Sequence, residues 1–105
     1  MDLAEEIFNI TRSFPKEEKY GIISQMRRCT VSIPSNISEG DGRNTNRHFK
    51  YFLEISMGSC NELQTQLELV RRFKYLSDVV AFKIADELLQ IFKMILVFFN
   101  SLSDD

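Results

Sequence analysis

Arg28, Ser32, Asn36 and Glu39 stand at spacings of four, four and three, which on a helix places a guanidinium, a hydroxyl, an amide and a carboxylate on nearly one face. Such a row can hold a ligand. It can equally fix the register of two helices, provided each group finds a partner. Ser59, Glu62 and Gln66, at spacings of three and four, supply matching groups on a later helix. The structural reading is preferred, because acid, amide and guanidinium without a nucleophile or a metal set define no reaction class.

The remaining reactive side chains point the same way. His48 is the only histidine, with no Cys or carboxylate at metal-ligand or nucleophile spacing around it, so it reads as a solvated or capping residue in the first turn of a helix. Cys29 and Cys60 are thirty-one residues apart and form no Cys-x-x-Cys pair; they read as small buried residues in a reducing compartment. Gly40-Asp41-Gly42-Arg43 lacks the third glycine, the lysine and the preceding strand of a phosphate-binding loop. No catalytic residue, cofactor, metal or small-molecule substrate is expected, and the protein is read as not an enzyme.

Charge supplies a different kind of chemistry. The net charge is -2, yet the stretch 12–50 carries eight bases against four acids, so the flanks hold -6. Arg43, Arg47 and Lys50, with Asn44 and Asn46 between them, form a basic, amide-rich corner at a helix start, where positive charge and the positive end of the dipole both favour phosphate. These three are the candidate nucleic-acid contacts. A solvated loop is the competing reading, and the acidic total favours it.

The elements that must position these residues are helices. Four Gly and two Pro are too few for an all-β chain that turns every ~8 to 12 residues. Leu3, Ile7, Ile10 and Phe14 make the stripe of a first helix over 2–14. Pro15, followed by Lys16-Glu17-Glu18, predicts a second helix beginning at Pro15, since proline and acidic groups suit a first turn. Its seam is Ile22, Met26, Cys29, Ile33 and Ile37, and because the pattern continues across Pro34 a kink is expected there. Gly40-Asp41-Gly42 is expected to stop it with a left-handed glycine. Asn44, Thr45 and Asn46 offer caps for the third helix.

That third helix has the cleanest pattern: Phe49, Leu53, Ser56, Cys60, Leu63, Leu67 and Val70 alternate at four and three, the seam of nearly antiparallel bundle helices. Gly58 in its middle costs ~1 kcal/mol relative to alanine, which predicts close approach of another backbone. Arg71, Arg72 and Lys74 gather at its negative end. A fourth helix, capped by Ser77 and running to about 101, carries two seams: Ile84, Leu88, Ile91, Ile95 and Phe98, and Phe82, Ala85, Leu89, Phe92, Leu96 and Phe99. An edge helix needs one buried face, so the second seam predicts contact with another subunit.

With short connections between the helices, the expected fold is all-α, an antiparallel up-down-up-down four-helix bundle kinked near Pro34, in a single domain over 1–105. The apolar run 91–99 contains Lys93 and is far short of the ~20 residues that span a bilayer. No secretory signal is recognisable near Met1. No membrane contact and a cytoplasmic address are expected.

Residues 14–28 (FPKEEKYGIISQMRR), 31–40 (VSIPSNISEG), Gly42-Arg43, Phe49, Phe52-Leu53, Gly58-Ser59 and 62–67 (ELQTQL) together resemble the four-helix bundle family of 23S ribosomal RNA intervening-sequence proteins. The resemblance implies four-helix protomers that assemble into homopentameric, barrel-like rings. It also implies kinship with the accessory variability proteins of retroelements, which bind nucleic acid through a basic surface. Gln25, Arg28, Ser32, Asn36, Glu39, Arg43, Ser59 and Glu62 match the family motif, which assigns them no catalytic role. The chain departs from the family in a late first helix and an acidic total charge. The expected function is a non-enzymatic homo-oligomeric interaction protein; the alternative is a nucleic-acid-binding accessory module, RNA or DNA, acting through a basic rim of the oligomer.

Overall fold

A computed structural model describes residues 2–103. Four helices form: α1 Asp2–Thr11, α2 Ile22–Asp41, α3 Asn46–Arg72 and α4 Asp78–Ser101. Among the described residues there is no strand, and no helix is long and apolar enough to cross a membrane.

The first helix buries Leu3 and Ile7 and ends where the buried Thr11 hydroxyl donates back to the Ile7 carbonyl at 2.7 Å. The expected helix from Pro15 does not form. Pro15 opens a 3₁₀ turn, Lys16–Glu18, because the Lys19 and Gly21 N–H groups close back three residues, onto the Lys16 and Glu18 carbonyls. Gly21 then leaves helical geometry at ψ -113°, and α2 starts after it.

Along α2, Ile23, Met26, Cys29 and Ile33 are buried, which is the expected seam with Ile22 and Ile37 half-buried at its ends. The helix runs continuously across Pro34. Ser56 of α3 donates to the Ile33 carbonyl at 2.8 Å, and Asn36 donates to the Ser32 carbonyl at 2.8 Å, so carbonyls beside the proline gain side-chain donors. The stop differs from expectation: Gly42 sits at φ -82° and no glycine is left-handed.

Thr45 caps α3 by accepting from the His48 N–H at 3.2 Å, and Leu53, Ser56, Cys60, Leu63, Leu67 and Val70 are all buried. Its end is a Schellman turn in which Tyr75 N–H donates to Val70 and Lys74 N–H to Arg71, both at 3.0 Å. Ser77 caps α4 by accepting from Val80 N–H at 3.3 Å.

Paired contacts fix the arrangement. Cys29 and Ile33 meet Ser59 and Ser56, while Gln64 and Lys50 meet Ala85 and Leu102; numbers rise on one helix as they fall on the next. Both pairs are therefore antiparallel. Thr11 accepts from Arg27 Nε at 2.9 Å, tying α1 to α2, and Lys83 reaches Glu6 at 3.3 Å, closing α1 onto α4. The result is a rod of 47 × 24 × 19 Å around one core.

The close approach that glycine permits is at Gly40 and not at Gly58. A Cβ on Gly40 would lie 2.8 Å from Phe49 Cδ1 and 2.9 Å from Phe52 Cβ, whereas one on Gly58 would meet nothing within 4 Å. Replacing each by alanine should have opposite effects in urea unfolding. Gly40→Ala is expected to destabilise by about 1–3 kcal/mol through overpacking, and Gly58→Ala to stabilise by about 1 kcal/mol through helix propensity. A loss of stability at Gly58 would show that another chain covers it.

At the α3–α4 corner, Glu68 accepts from Arg71 at 2.7 Å and from Arg72 at 2.9 Å, and Arg71 also reaches Asp78 at 3.3 Å. Hydrogen bonds from Arg71 first, then Arg72, hold the Glu68 carboxyl down at about 2, against an ordinary 4.5. A depressed folded-state value contributes stability above pH ~4.5 that is lost as pH falls toward 2. Glu68→Gln should therefore melt at a lower temperature than wild type at pH 7, with the gap closing between pH 4.5 and 2. A gap that persists unchanged to pH 2 would mean that the charge is not its cause.

Candidate functional site

The polar row of α2 separates into parts, because its ends lie about 16 Å apart along the axis at 1.5 Å per residue. In the middle, the Ser32 and Ser59 hydroxyls share a hydrogen bond of 2.8 Å, and Asn36 Nδ2 donates to Ser32 Oγ at 2.9 Å. Cys29 Sγ donates to the Ser59 carbonyl at 3.0 Å. Arg28 and Glu62 are exposed and, with Gln25, rim a cleft of about 190 Å³ over Cys29, Ser32 and Ser59. Glu39 belongs elsewhere, as partner of Arg43. The six expected members thus include a bonded trio, Ser32, Asn36 and Ser59, while Arg28, Glu39 and Glu62 lie at the surface. Gln66 is buried, but its Oε1 has no hydrogen-bond partner.

This cleft carries little reactivity. Burial, and then the nearby Glu62 carboxylate, push the Cys29 thiol up to about 12; burial pushes Cys60 up to about 11. Both are protonated at neutral pH, so neither supplies a thiolate. Among the described residues no group of three His, Cys, Asp or Glu is placed to hold a metal ion.

The basic corner is assembled as a place but partly neutralised as a charge. Arg43 pairs with Glu39 one turn back, and its guanidinium lies 4.7 Å over the Phe52 ring. Lys50 Nζ lies 4.7 Å over Phe99 and within 3.5 Å of the Leu102 carbonyl. Arg47 is exposed and lines an open concavity of about 900 Å³ with His48, Lys50, Tyr51, Glu54 and Phe99. Residues 39–54 hold three Lys or Arg and three carboxylates, so this end carries no net positive charge.

The third feature is the C-terminal half of α4. At ten residues α1 is about 15 Å long, and the other helices, at 20 to 27 residues, are about 30–40 Å. It reaches α4 near Lys83 and Glu87, while no Cα of α2 comes within 8 Å of one in α4. Past that point α4 buries Leu88 and Ile95 and leaves Met94 71%, Val97 70% and Phe98 46% exposed. Met94, Val97, Phe98 and Ser101 line one apolar depression of about 490 Å³ with Lys93. The two expected seams sort accordingly: Ile84, Leu88 and Ile95 are core, whereas Phe82, Leu89, Leu96 and also Phe98 are exposed. Met94 and Val97 belonged to neither seam, although their spacing to Ser101 continues a helical stripe.

Comparison with known proteins agrees with this architecture. The chain is similar to a crystal structure of a protein with unknown function from the S23 ribosomal protein family of Bacteroides thetaiotaomicron VPI-5482, with a TM-score of 0.83 at 22% identity, over 93% of this chain and 92% of that one. At that identity the likeness is one of fold. No curated protein matches the chain. The model of the 23S rRNA-intervening sequence protein matches residues 1–96, nearly the whole length of the helical rod just described. The chain belongs to the 23S rRNA-intervening sequence protein family.

Proposed function

We propose that the chain is a non-enzymatic protomer that works by assembling with copies of itself through the uncovered half of α4. The observation that carries this reading is the run of Met94, Val97 and Phe98, three large apolar side chains exposed together where no helix of the chain covers them. Soluble proteins seldom leave such a patch to water, and an assembly buries it. A second copy is the fitting occupant, because the stripe has helical spacing and suits the ridges of another helix. Five copies is the number that the family resemblance implies.

Both thiols are buried and unpaired, which fits the reducing cytoplasm. Nucleic-acid binding through Arg43, Arg47 and Lys50 is the weaker reading, since intrachain contacts engage Arg43 and Lys50.

Light scattering at about 10 µM, a concentration at which specific complexes persist, should give a mass several-fold above 12.3 kDa. Met94→Glu combined with Val97→Glu should reduce it to that of one protomer while the helical circular dichroism signal is retained. A wild-type mass of one protomer would overturn the proposal, as would an assembly indifferent to both charges.

A further inference from the structure

The end of the rod opposite the Arg43 corner is where unbalanced positive charge and exposed aromatic rings coincide. Two connections meet there: the 3₁₀ turn between α1 and α2, and the turn between α3 and α4. Phe14 beside the first packs on Tyr75 of the second, with ring centroids 5.5 Å apart. Residues 12–20 and 68–78 together carry six Lys or Arg against four carboxylates. Arg71 and Arg72 engage Glu68 and Asp78, which leaves Arg12, Lys16, Lys19 and Lys74 facing Glu17 and Glu18 alone. Among the described residues, no ion pair holds any of these four cations.

Tyr20 is 88% exposed and Phe73 54% exposed, one on each connection. Lys19 Nζ sits 5.5 Å over the Tyr20 ring, and Lys74 follows Phe73 directly. Tyr20 therefore has a lysine over its face and Phe73 a lysine next to it in the chain, within a cross-section of 24 × 19 Å.

Lys74 is also the one residue with positive φ, at 62°, among the described residues. It occupies the position of the Schellman turn that glycine fills at no steric cost and that any other residue fills at a loss. The attraction of cations to a helix C-terminus does not require it, because Arg71 and Arg72 already occupy the last turn. A lysine held where glycine would be more stable points to a use for its side chain.

We propose that this pole, Lys16, Lys19, Tyr20, Phe73 and Lys74, binds single-stranded RNA. The rings stack on unpaired bases and the lysines neutralise the phosphates between them, the combination that recognises single strands without reading a duplex groove. RNA is the occupant because its loops present unstacked bases, whereas duplex DNA keeps its bases stacked inside, where exposed flat rings find no face. The proposal is independent of assembly through α4, since it uses different residues at the other end.

The test uses the full chain and a fluorescein-labelled, unstructured RNA of roughly 15 nucleotides, the upper range of single-strand sites, followed by anisotropy at several salt concentrations. With three lysine contacts the slope of log K against log salt is expected near -2, at about -0.7 per phosphate. Lys74→Gly should raise the melting temperature, weaken binding several-fold and make the slope shallower by about 0.7. A purely structural Lys74 would produce only the first effect. Phe73→Ala and Tyr20→Ala should each weaken binding by about tenfold, and Arg47→Glu should change it less than Lys74→Gly does. Unchanged affinity in Lys74→Gly overturns the proposal, as does tighter binding of a matched DNA strand or duplex. Equal capture of polyglutamate, insensitive to Phe73→Ala, also overturns it by identifying an acidic protein partner. The light-scattering mass of Lys74→Gly should equal that of wild type, so failure here and failure of assembly are separately visible.

Discussion

The contact of α2 with α3 is the constraint on which the rest of this structure depends. Two long helices approach closely because small groups line the seam between them: Cys29, Ser32 and Gly40 on one side, Ser56, Ser59 and Cys60 on the other. Gly40 lies beneath Phe49 and Phe52 with no room for a methyl group, and the serine hydroxyls spend their hydrogen-bonding capacity across the seam. Directional bonds in a packed interior select one register, which apolar contacts alone do weakly. Pro34 sits within this seam, and Ser56 of α3 donates to the carbonyl of the residue before it.

The register of that pair determines what the two outer helices can do. A single buried threonine and one arginine fasten α1, which spans half the length of its neighbours, and a lysine between two carboxylates holds it to α4. The far half of α4 is left with α3 as its one close backbone neighbour. Its exposed apolar stripe thus follows from a difference in helix length and not from an unusual composition. The same geometry separates the two ends of the rod. At one, a carboxylate and rings occupy Arg43 and Lys50; at the other, Arg71 and Arg72 occupy Glu68 and Asp78, and four cations face Glu17 and Glu18.

Much of this was legible in the residues. The four-three alternation of α3, the Thr45 and Ser77 caps and the excess apolar width of α4 are local signals with local causes. The helix expected from Pro15 failed because proline and acidic residues suit the first turn of a 3₁₀ segment as well as that of an α-helix, and Gly21 ended the competition. The left-handed stop expected at Gly42 appears instead at Lys74, where no propensity pointed. The polar row was correct as a face and wrong as a unit: four residues can share a side of a helix while its ends meet different neighbours.

By itself the sequence determined that the chain is helical and where its seams run, because periodicity and capping act over a few residues, and its quoted motifs carried the resemblance to the family. Tertiary structure decided which charges survive and which glycine a side chain would crowd. Arg43 and Lys50 looked like free cations until Glu39, Phe52 and Phe99 were brought beside them; Gly58 looked like a contact until it faced open space. A side chain's charge and volume are written in its type, but their effect depends on partners distant in the chain, and only the packed fold places those partners within a few ångströms.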